Sequence, residues 1–340
     1  MTKPVTLKEL SQELGVSVAT VSKALNHDPT IGHYTRERVL KLAQDRNYIP
    51  NENARNFQQQ KSLTIGLLIP NVLDQFFVQA INGVDAVAVD THYSLVVAQT
   101  RDDPNRAAAV LNMMLRDRVD GLIATITPNT TDLAPYQRLE AAGIPVVYMA
   151  RSPNDPACHR VVCQNVQGAT QATRFLLERG HRRLAHLKGP DAISASHQRQ
   201  TGFANAIADW PERPRSVQVE TVDLLAESVY KAMQRLMERP DYPTGILTFK
   251  TYITLDAIDF LRQHYPERLA RIDFVGFGNL PLIRYLDPKP AASVEENAHL
   301  MGQETMRLLL RLMQNAETGV VTNPQHIEVP CKLIPHEPQS

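Results

Sequence analysis

Residues with chemical potential are plentiful in this chain of 340 residues, but their spacing supports little catalysis. Cys158, His159 and Cys163 lie close together, yet no second ligand pair answers them at a metal-site spacing. The eleven histidines contain no H-E-x-x-H, and there is no G-x-G-x-x-G, Walker loop or G-x-S-x-G. His181, His186 and His197 each have the chemistry of a base, but none has a nucleophile or metal partner visible in sequence. No enzyme activity, metal or cofactor is therefore expected. The basic side chains point elsewhere. Lys+Arg and Asp+Glu are equal at 36 each, but residues 1–61 carry Lys3, Lys8, Lys23, Arg36, Arg38, Lys41, Arg46, Arg55 and Lys61 against fewer acids. A local positive excess suits a polyanionic partner.

The elements that position those side chains change character near residue 61. Thr6 followed by Glu9 forms a capping box, in which each side chain satisfies a backbone N–H at the helix start. Leu7, Leu10 and Leu14 then share one helical face. Gly15 breaks that helix and Ser17 stands where it can cap a second, whose buried side is Val16, Val21, Ala24 and Leu25. A third helix is predicted from Thr35, burying Val39, Leu42 and Ala43 before the Asn47–Pro50 stop. Two helices joined by a tight glycine turn, with a supporting third, read as a helix-turn-helix.

Beyond residue 61 short apolar runs alternate with amphipathic stretches. The runs are Leu63–Ile69, Tyr93–Ala98, Gly121–Ala124, Pro145–Met149, Leu184–Leu187, Gly245–Phe249 and Phe274–Phe277. Helical patterns fall at Phe76–Val89, Ala107–Leu115, Thr170–Leu177 and Met301–Met313. This rhythm predicts an α/β sensor of two doubly wound parallel-sheet subdomains after an all-α headpiece, with a ligand cleft at the carboxyl ends of the strands. Three cysteines make no disulfide framework. The N-terminal stretch lacks an apolar signal core, and no apolar run approaches the roughly 20 residues of a membrane span, so a cytoplasmic location without membrane contact is expected.

At this point the residues become recognisable. Val5-Thr6-Leu7-Lys8-Glu9-Leu10, Gly15-Val16-Ser17-Val18-Ala19-Thr20-Val21-Ser22-Lys23-Ala24-Leu25-Asn26, Thr35-Arg36-Glu37-Arg38-Val39 and Asn47-Tyr48-Ile49-Pro50-Asn51 resemble the DNA-binding segment of the lactose-repressor/galactose-repressor family. The likeness runs on through Thr64-Ile65-Gly66-Leu67, Gly143-Ile144-Pro145-Val146-Val147, Gly180-His181-Arg182-Arg183 and Phe274-Val275-Gly276-Phe277. It implies a DNA-binding transcription regulator, a repressor, whose sensor has a periplasmic-binding-protein-like fold. The implied organisation is a DNA-binding domain over 1–50, a hinge over 51–61 and a sensor over 62–335. Within the sensor, one subdomain would span about 62–160 and 294–320, and the other about 161–292 and 321–332.

By the same resemblance Val18, Ala19 and Lys23 stand at base-reading positions of the recognition helix. Val18 and Ala19 can read only apolar features such as a thymine methyl, and Lys23 reaches guanine without the arginine fork. Thr6, Ser17, Thr20, Ser22, Asn26, Thr35, Arg36, Tyr48 and Asn51 complete the DNA-binding set, chiefly as phosphate contacts. In the hinge, Ala54 keeps the small residue of the family, whereas Phe57 replaces its leucine wedge.

The effector site implied by the resemblance comprises Asp74, Phe76, Ala150, Arg199, Lys250 and Gly278, with Gln75 beside them. Three of these depart from the family. Gly278 and Ala150 replace aspartates, and Lys250 stands at an asparagine position, so the site gains positive charge. Two cations facing a cleft without a nearby carboxylate are costly to desolvate, which predicts an anionic, carbohydrate-like effector. The alternative is that Lys250 points to solvent or pairs with Asp102 or Asp256. One headpiece reads only a half-site, so a homodimer on a near-palindromic double-stranded operator is expected, with interfaces around Ile81–Val89 and Leu280–Leu286. No leucine heptads suggest a tetramerising coiled coil. A protein co-regulator in place of the small molecule, and a sugar-binding or metabolic enzyme domain, are the competing readings.

Overall fold

The structure, a computed structural model, describes residues 5–48 and 61–336. It falls into two compact units, residues 1–61 and 62–340.

The first unit holds α1 (Leu7–Leu14), α2 (Val18–Leu25) and α3 (His33–Asp45). The capping box is formed as expected: Glu9 N donates to Thr6 Oγ1 at 3.3 Å and Thr6 N donates to Glu9 Oε2 at 2.7 Å. Ser17 Oγ accepts from Thr20 N at 3.0 Å and starts α2. Leu10, Val21, Ala24, Val39 and Ala43 form the core, with Val16, Leu25 and Leu42 half-buried around it. The third helix begins two residues before the expected Thr35. The Arg36 guanidinium donates to the carbonyls of Asp28 and Ile31 at 2.9 and 3.0 Å, closing the loop so that Gly32 becomes the N-cap.

The second unit alternates strands and helices: β1 (Thr64–Ile69), α4 (Gln75–Ala88), β2 (Ser94–Gln99), α5 (Pro104–Arg116), β3 (Gly121–Ala124), α6 (Ala134–Ala141), β4 (Val146–Met149) and β5 (His159–Cys163). There follow α7 (Asn165–Glu178), β6 (Arg183–Lys188), α8 (Ser194–Ala208), β7 (Ser216–Thr221), α9 (Ala226–Met237), β8 (Gly245–Thr248), α10 (Thr251–His264), α11 (Pro266–Leu269) and β9 (Asp273–Phe277). The described residues end with β10 (Ala292–Glu295), α12 (Ala298–Thr318), β11 (His326–Val329) and β12 (Lys332–Pro335). Two six-stranded sheets result, ordered β11-β5-β4-β3-β1-β2 and β12-β10-β9-β8-β6-β7. Neighbours are parallel except β10 and β12, which run antiparallel.

The fully buried runs in β3, β4 and β8 are central strands covered on both faces. The Tyr93–Ala98 run differs: β2 is an edge strand, with Val96 and Val97 exposed. Helices α4 and α12 cross in backbone contact, because a Cβ on Gly83 would lie 1.9 Å from His299 O and one on Gly302 would lie 2.0 Å from Ala80 O.

The two halves exchange chain more than once, and at places that correct the expected limits. Strand β5 and strand β11 pair with each other in the first sheet, so residues 161–163 and 326–329 belong to that half and not to the second. Strand β10 lies in the second sheet, so residues 294–295 stay there and the chain crosses after Glu295. Short strands at a crossover have no periodicity long enough to betray their sheet. Among the described residues no helix is long and apolar enough to cross a membrane.

Candidate functional site

Two sites emerge. On the first unit, α2 presents Val18, Ala19, Lys23 and Asn26 to solvent, with Val18 42% exposed. The buried residues Val21 and Ala24 fix the opposite face, so this side of the helix is free to enter a groove. The Ser17 and Thr20 hydroxyls pair at 2.8 Å, and Asn26 Nδ2 donates to Ser22 O at 2.9 Å. Lys23 lies 3.8 Å from Asp28. Thr35 sits in the first turn of α3, Tyr48 packs half-buried on the core, and Thr6 caps α1. Arg36 differs from the expectation: two of its donors already serve loop carbonyls and it is half-buried, which makes it first a loop clamp. Asn51, Ala54 and Phe57, with the hinge reading around them, lie outside the described residues.

On the second unit, loops at the carboxyl ends of strands from both sheets enclose a cleft of about 530 Å³. Asp74, Gln75, Phe76, Ala150, Arg199, Lys250 and Gly278 all line it, so the structure brings the sequence-derived set together. Asp74 caps α4, accepting from Phe76 N at 3.1 Å. Phe76 meets Phe77 edge-on at 5.1 Å and packs half-buried against the core. Ala150, at φ 65°, holds a left-handed conformation after β4. Gly278, at φ 97°, turns the chain after β9, and its carbonyl accepts from the Thr251 hydroxyl.

Arg199 on α8 is buried and fully oriented. Its Nε donates to Asn165 Oδ1 at 2.9 Å, Nη1 donates to Phe249 O, and Nη2 donates to Glu296 Oε1 at 2.5 Å. The guanidinium lies over Phe277 at 3.7 Å and Phe249 at 4.6 Å. Burial pushes the Glu296 carboxyl above the ordinary range, while the Arg199 charge pulls it down. Lys250 Nζ stands 3.7 Å from Asp74 Oδ2, joining the two walls of the cleft, and the Tyr252 hydroxyl donates to Leu73 O at 3.4 Å. Arg151 Nη1 donates to Asp102 Oδ1 at 2.7 Å.

The expected surplus of positive charge is therefore absent. Arg199 has Glu296, Lys250 has Asp74, and Asp102 serves Arg151 instead of Lys250. The inference to an anionic effector rested on unpaired cations, and its premise fails. Sequence reasoning missed Glu295 and Glu296 because β10 is short. Two adjacent carboxylates, the first closing the otherwise uncharged β10, were the available signal.

The histidines have structural work. His181 bridges Thr244 Oγ1 at 3.0 Å and Asp273 Oδ2 at 2.8 Å at the amino ends of strands, away from the cleft. Against the upward push of burial, hydrogen bonds from His181 and Arg179 hold the Asp273 carboxyl below its ordinary range. His186 Nδ1 donates to Leu247 O at 3.1 Å, and burial depresses this ring to about 4. His197 Nε2 donates to Asp191 O at 2.9 Å. Among the described residues no group of His, Cys, Asp or Glu is placed to hold a metal ion.

A helix-turn-helix with an open second helix, carried on the same chain as a two-sheet cleft, defines a ligand-sensing DNA-binding protein. Comparison with known proteins gives the family. Residues 6–51 match bacterial regulatory proteins of the lacI family, and residues 62–337 match the periplasmic binding proteins and sugar binding domain of LacI family. The chain belongs to the lacI family of bacterial regulatory proteins. It is 26% identical over 316 residues to the HTH-type transcriptional repressor CytR of Escherichia coli (strain K12), covering 92% of this chain and 91% of the relative. It is 28% identical over 335 residues to a ribose operon repressor of Halalkalibacterium halodurans, covering 98% and 96%. Its fold is similar to that of the lac repressor dimer bound to operator and the anti-inducer ONPF, with TM-score 0.82, 24% identity and 98% of each chain covered. Family membership makes this chain a DNA-binding transcriptional regulator and not an enzyme.

Proposed function

We propose that the protein is a cytoplasmic repressor that binds a near-palindromic operator as a homodimer. We further infer that a neutral, hydroxyl-bearing, carbohydrate-like molecule in the cleft controls its operator affinity. The repressor sign is supported by relatives named as repressors. The dimer is supported by the recognition helix α2, which spans one half-site. The effector class rests on one observation: the cleft cations are each engaged by a carboxylate, so an anionic ligand would have to break a pair. Aromatic walls at Phe76, Phe249 and Phe277 suit the apolar face of a sugar ring. Lys23 and the exposed end of α2 are the proposed base-reading surface, and Ser17, Thr20, Asn26 and Thr35 the proposed phosphate contacts.

Effector binding would alter the angle between the two sheets, and so the spacing of the two headpieces. The test is selection of operator from a random DNA pool at several salt concentrations, followed by release with sugars. A near-palindrome, steep salt dependence and release by a neutral sugar support the reading. Enrichment of no site, or release by phosphorylated sugars alone, defeats it.

A further inference from the structure

We propose that Glu296 is the carboxylate that clamps the effector's hydroxyls, in the space left by the missing side chain of Gly278, and that through it cleft occupancy reaches the chain crossovers. This rests on the sugar-sensing reading above and names the group that gives it selectivity.

The residue is 8% exposed, yet it lines the cleft. One carboxylate oxygen is committed to Arg199. Its other oxygen, Oε2, accepts no hydrogen bond from the described residues. That oxygen lies 3.9 Å from where a Cβ on Gly278 would stand, so the glycine opens a volume directly in front of it. Oε2 is not fully enclosed, so it is reachable from the cleft, and a ligand hydroxyl there would give it the donor it lacks.

Arg199 completes the receptor. A guanidinium carries five N–H donors, and the three bonds to Asn165, Phe249 and Glu296 leave others unspent. The Phe249 and Phe277 rings pack against the guanidinium and restrain it, and Arg199 also lines the cleft. A free acceptor beside a free donor matches two neighbouring hydroxyls, one donating and one accepting. A phosphate or carboxylate meets the Glu296 charge instead, with Asp74 adding to the repulsion.

The position of Glu296 links this to motion. It stands between β10 and α12, where the chain passes from the second sheet to the first. Its backbone carbonyl accepts from Cys163 Sγ at 3.6 Å, at the end of β5, where another crossover begins. Asn165, held by Arg199, lies just past that crossover. A hydroxyl drawn to Oε2 thus acts on a residue bonded to two of the connecting segments.

The test uses the full chain and pairs of probes: D-ribose with ribose 5-phosphate, D-fructose with fructose 1-phosphate, and D-glucose with D-glucuronate. Calorimetric titration would read affinity, and operator titration without sugar would report on the headpiece. The wild type is expected to bind a neutral member and to reject its anionic partner. Glu296→Gln, which leaves Arg199 charged and unpaired, should lose neutral-sugar affinity on the order of tenfold and shift preference towards the anion. Thermal unfolding would check that the variant is folded, and a move of preference from the neutral member to the anion is a change that a general packing defect would not produce. Glu296→Asp keeps the charge but shortens the reach, so it should bind more weakly with the preference preserved, and it serves if the glutamine variant fails to fold.

If no neutral member binds the wild type, or either variant binds with wild-type affinity and preference, the assignment is overturned. Release of operator in the wild type by anionic sugars alone would defeat the effector reading itself. Release by a neutral sugar with an unaltered Glu296→Gln would defeat only the clamp.

Discussion

The exposed face of α2 and the floor of the cleft use charge in opposite ways. On α2, Lys23 is 54% exposed by side chain, and Asp28, at 3.8 Å, holds it only loosely. In the cleft, Arg199 is 6% exposed by side chain and is held by Glu296, two backbone or amide oxygens and two rings. A surface that meets a polyanion keeps its cations solvated and available, because the partner brings the countercharge. A cleft that admits a small neutral molecule satisfies its own cations first, because an unpaired buried charge costs several kcal/mol. Energy stored at the first surface appears in binding. At the second it appears largely in folding.

The sharpest way to break this contrast is Glu296→Ala. It strands a buried guanidinium, and urea unfolding of the full chain should show a loss of about 3–5 kcal/mol. A loss below about 1 kcal/mol would show that the cleft charges are solvated after all.

The next effect is a pH dependence. His186 is depressed to about 4 from 6.5 chiefly by burial, so between those values the unfolded chain binds a proton that the folded chain does not. Stability is therefore complete above pH 6.5 and falls as pH drops towards 4, by about 3 kcal/mol. His159 and His336, also lowered chiefly by burial, act with the same sign. Urea midpoints across that range should slope less steeply in His186→Leu than in the wild type.

Lys23→Ala should do the reverse of Glu296→Ala. Operator affinity should fall by about 1–3 kcal/mol, while the urea midpoint moves by less than about 0.5 kcal/mol. Equal losses in both measurements would mean that Lys23 supports the fold. The smallest change is expected for Lys250→Ala. This partly exposed pair across the cleft is worth about 0.2–1 kcal/mol, so stability should barely move. Affinity for anionic sugars should fall further, since the cleft loses a cation.

Legibility followed the range of the interactions. The headpiece was readable because its determinants are near neighbours in the chain. The Thr6–Glu9 box, the Ser17 cap and the Val21–Ala24 face are set by contacts three or four residues apart. The start of α3 was misplaced because it depends on Arg36 reaching back to Asp28 and Ile31. In the sensor, the central strands declared themselves as apolar runs. Strand β7 alternates between half-buried and exposed residues, and β10 to β12 are too short to show a period. The membership of the cleft was legible through resemblance, residue by residue. Its charge balance was not, because Arg199 and Glu296 are 97 positions apart and Asp102 and Arg151 are 49 apart.

The cleft residues came from the family resemblance; from the sequence's own pattern came the order of helices and central strands and the helix-turn-helix. These depend on periodicity and on caps a few residues long, which a linear chain displays directly. The tertiary structure alone decided which sheet each crossover strand joined, which carboxylate met which cation and that Gly278 opens onto Glu296. Coulomb energy depends on separation in space and on burial, and the chain does not reveal either until it has folded.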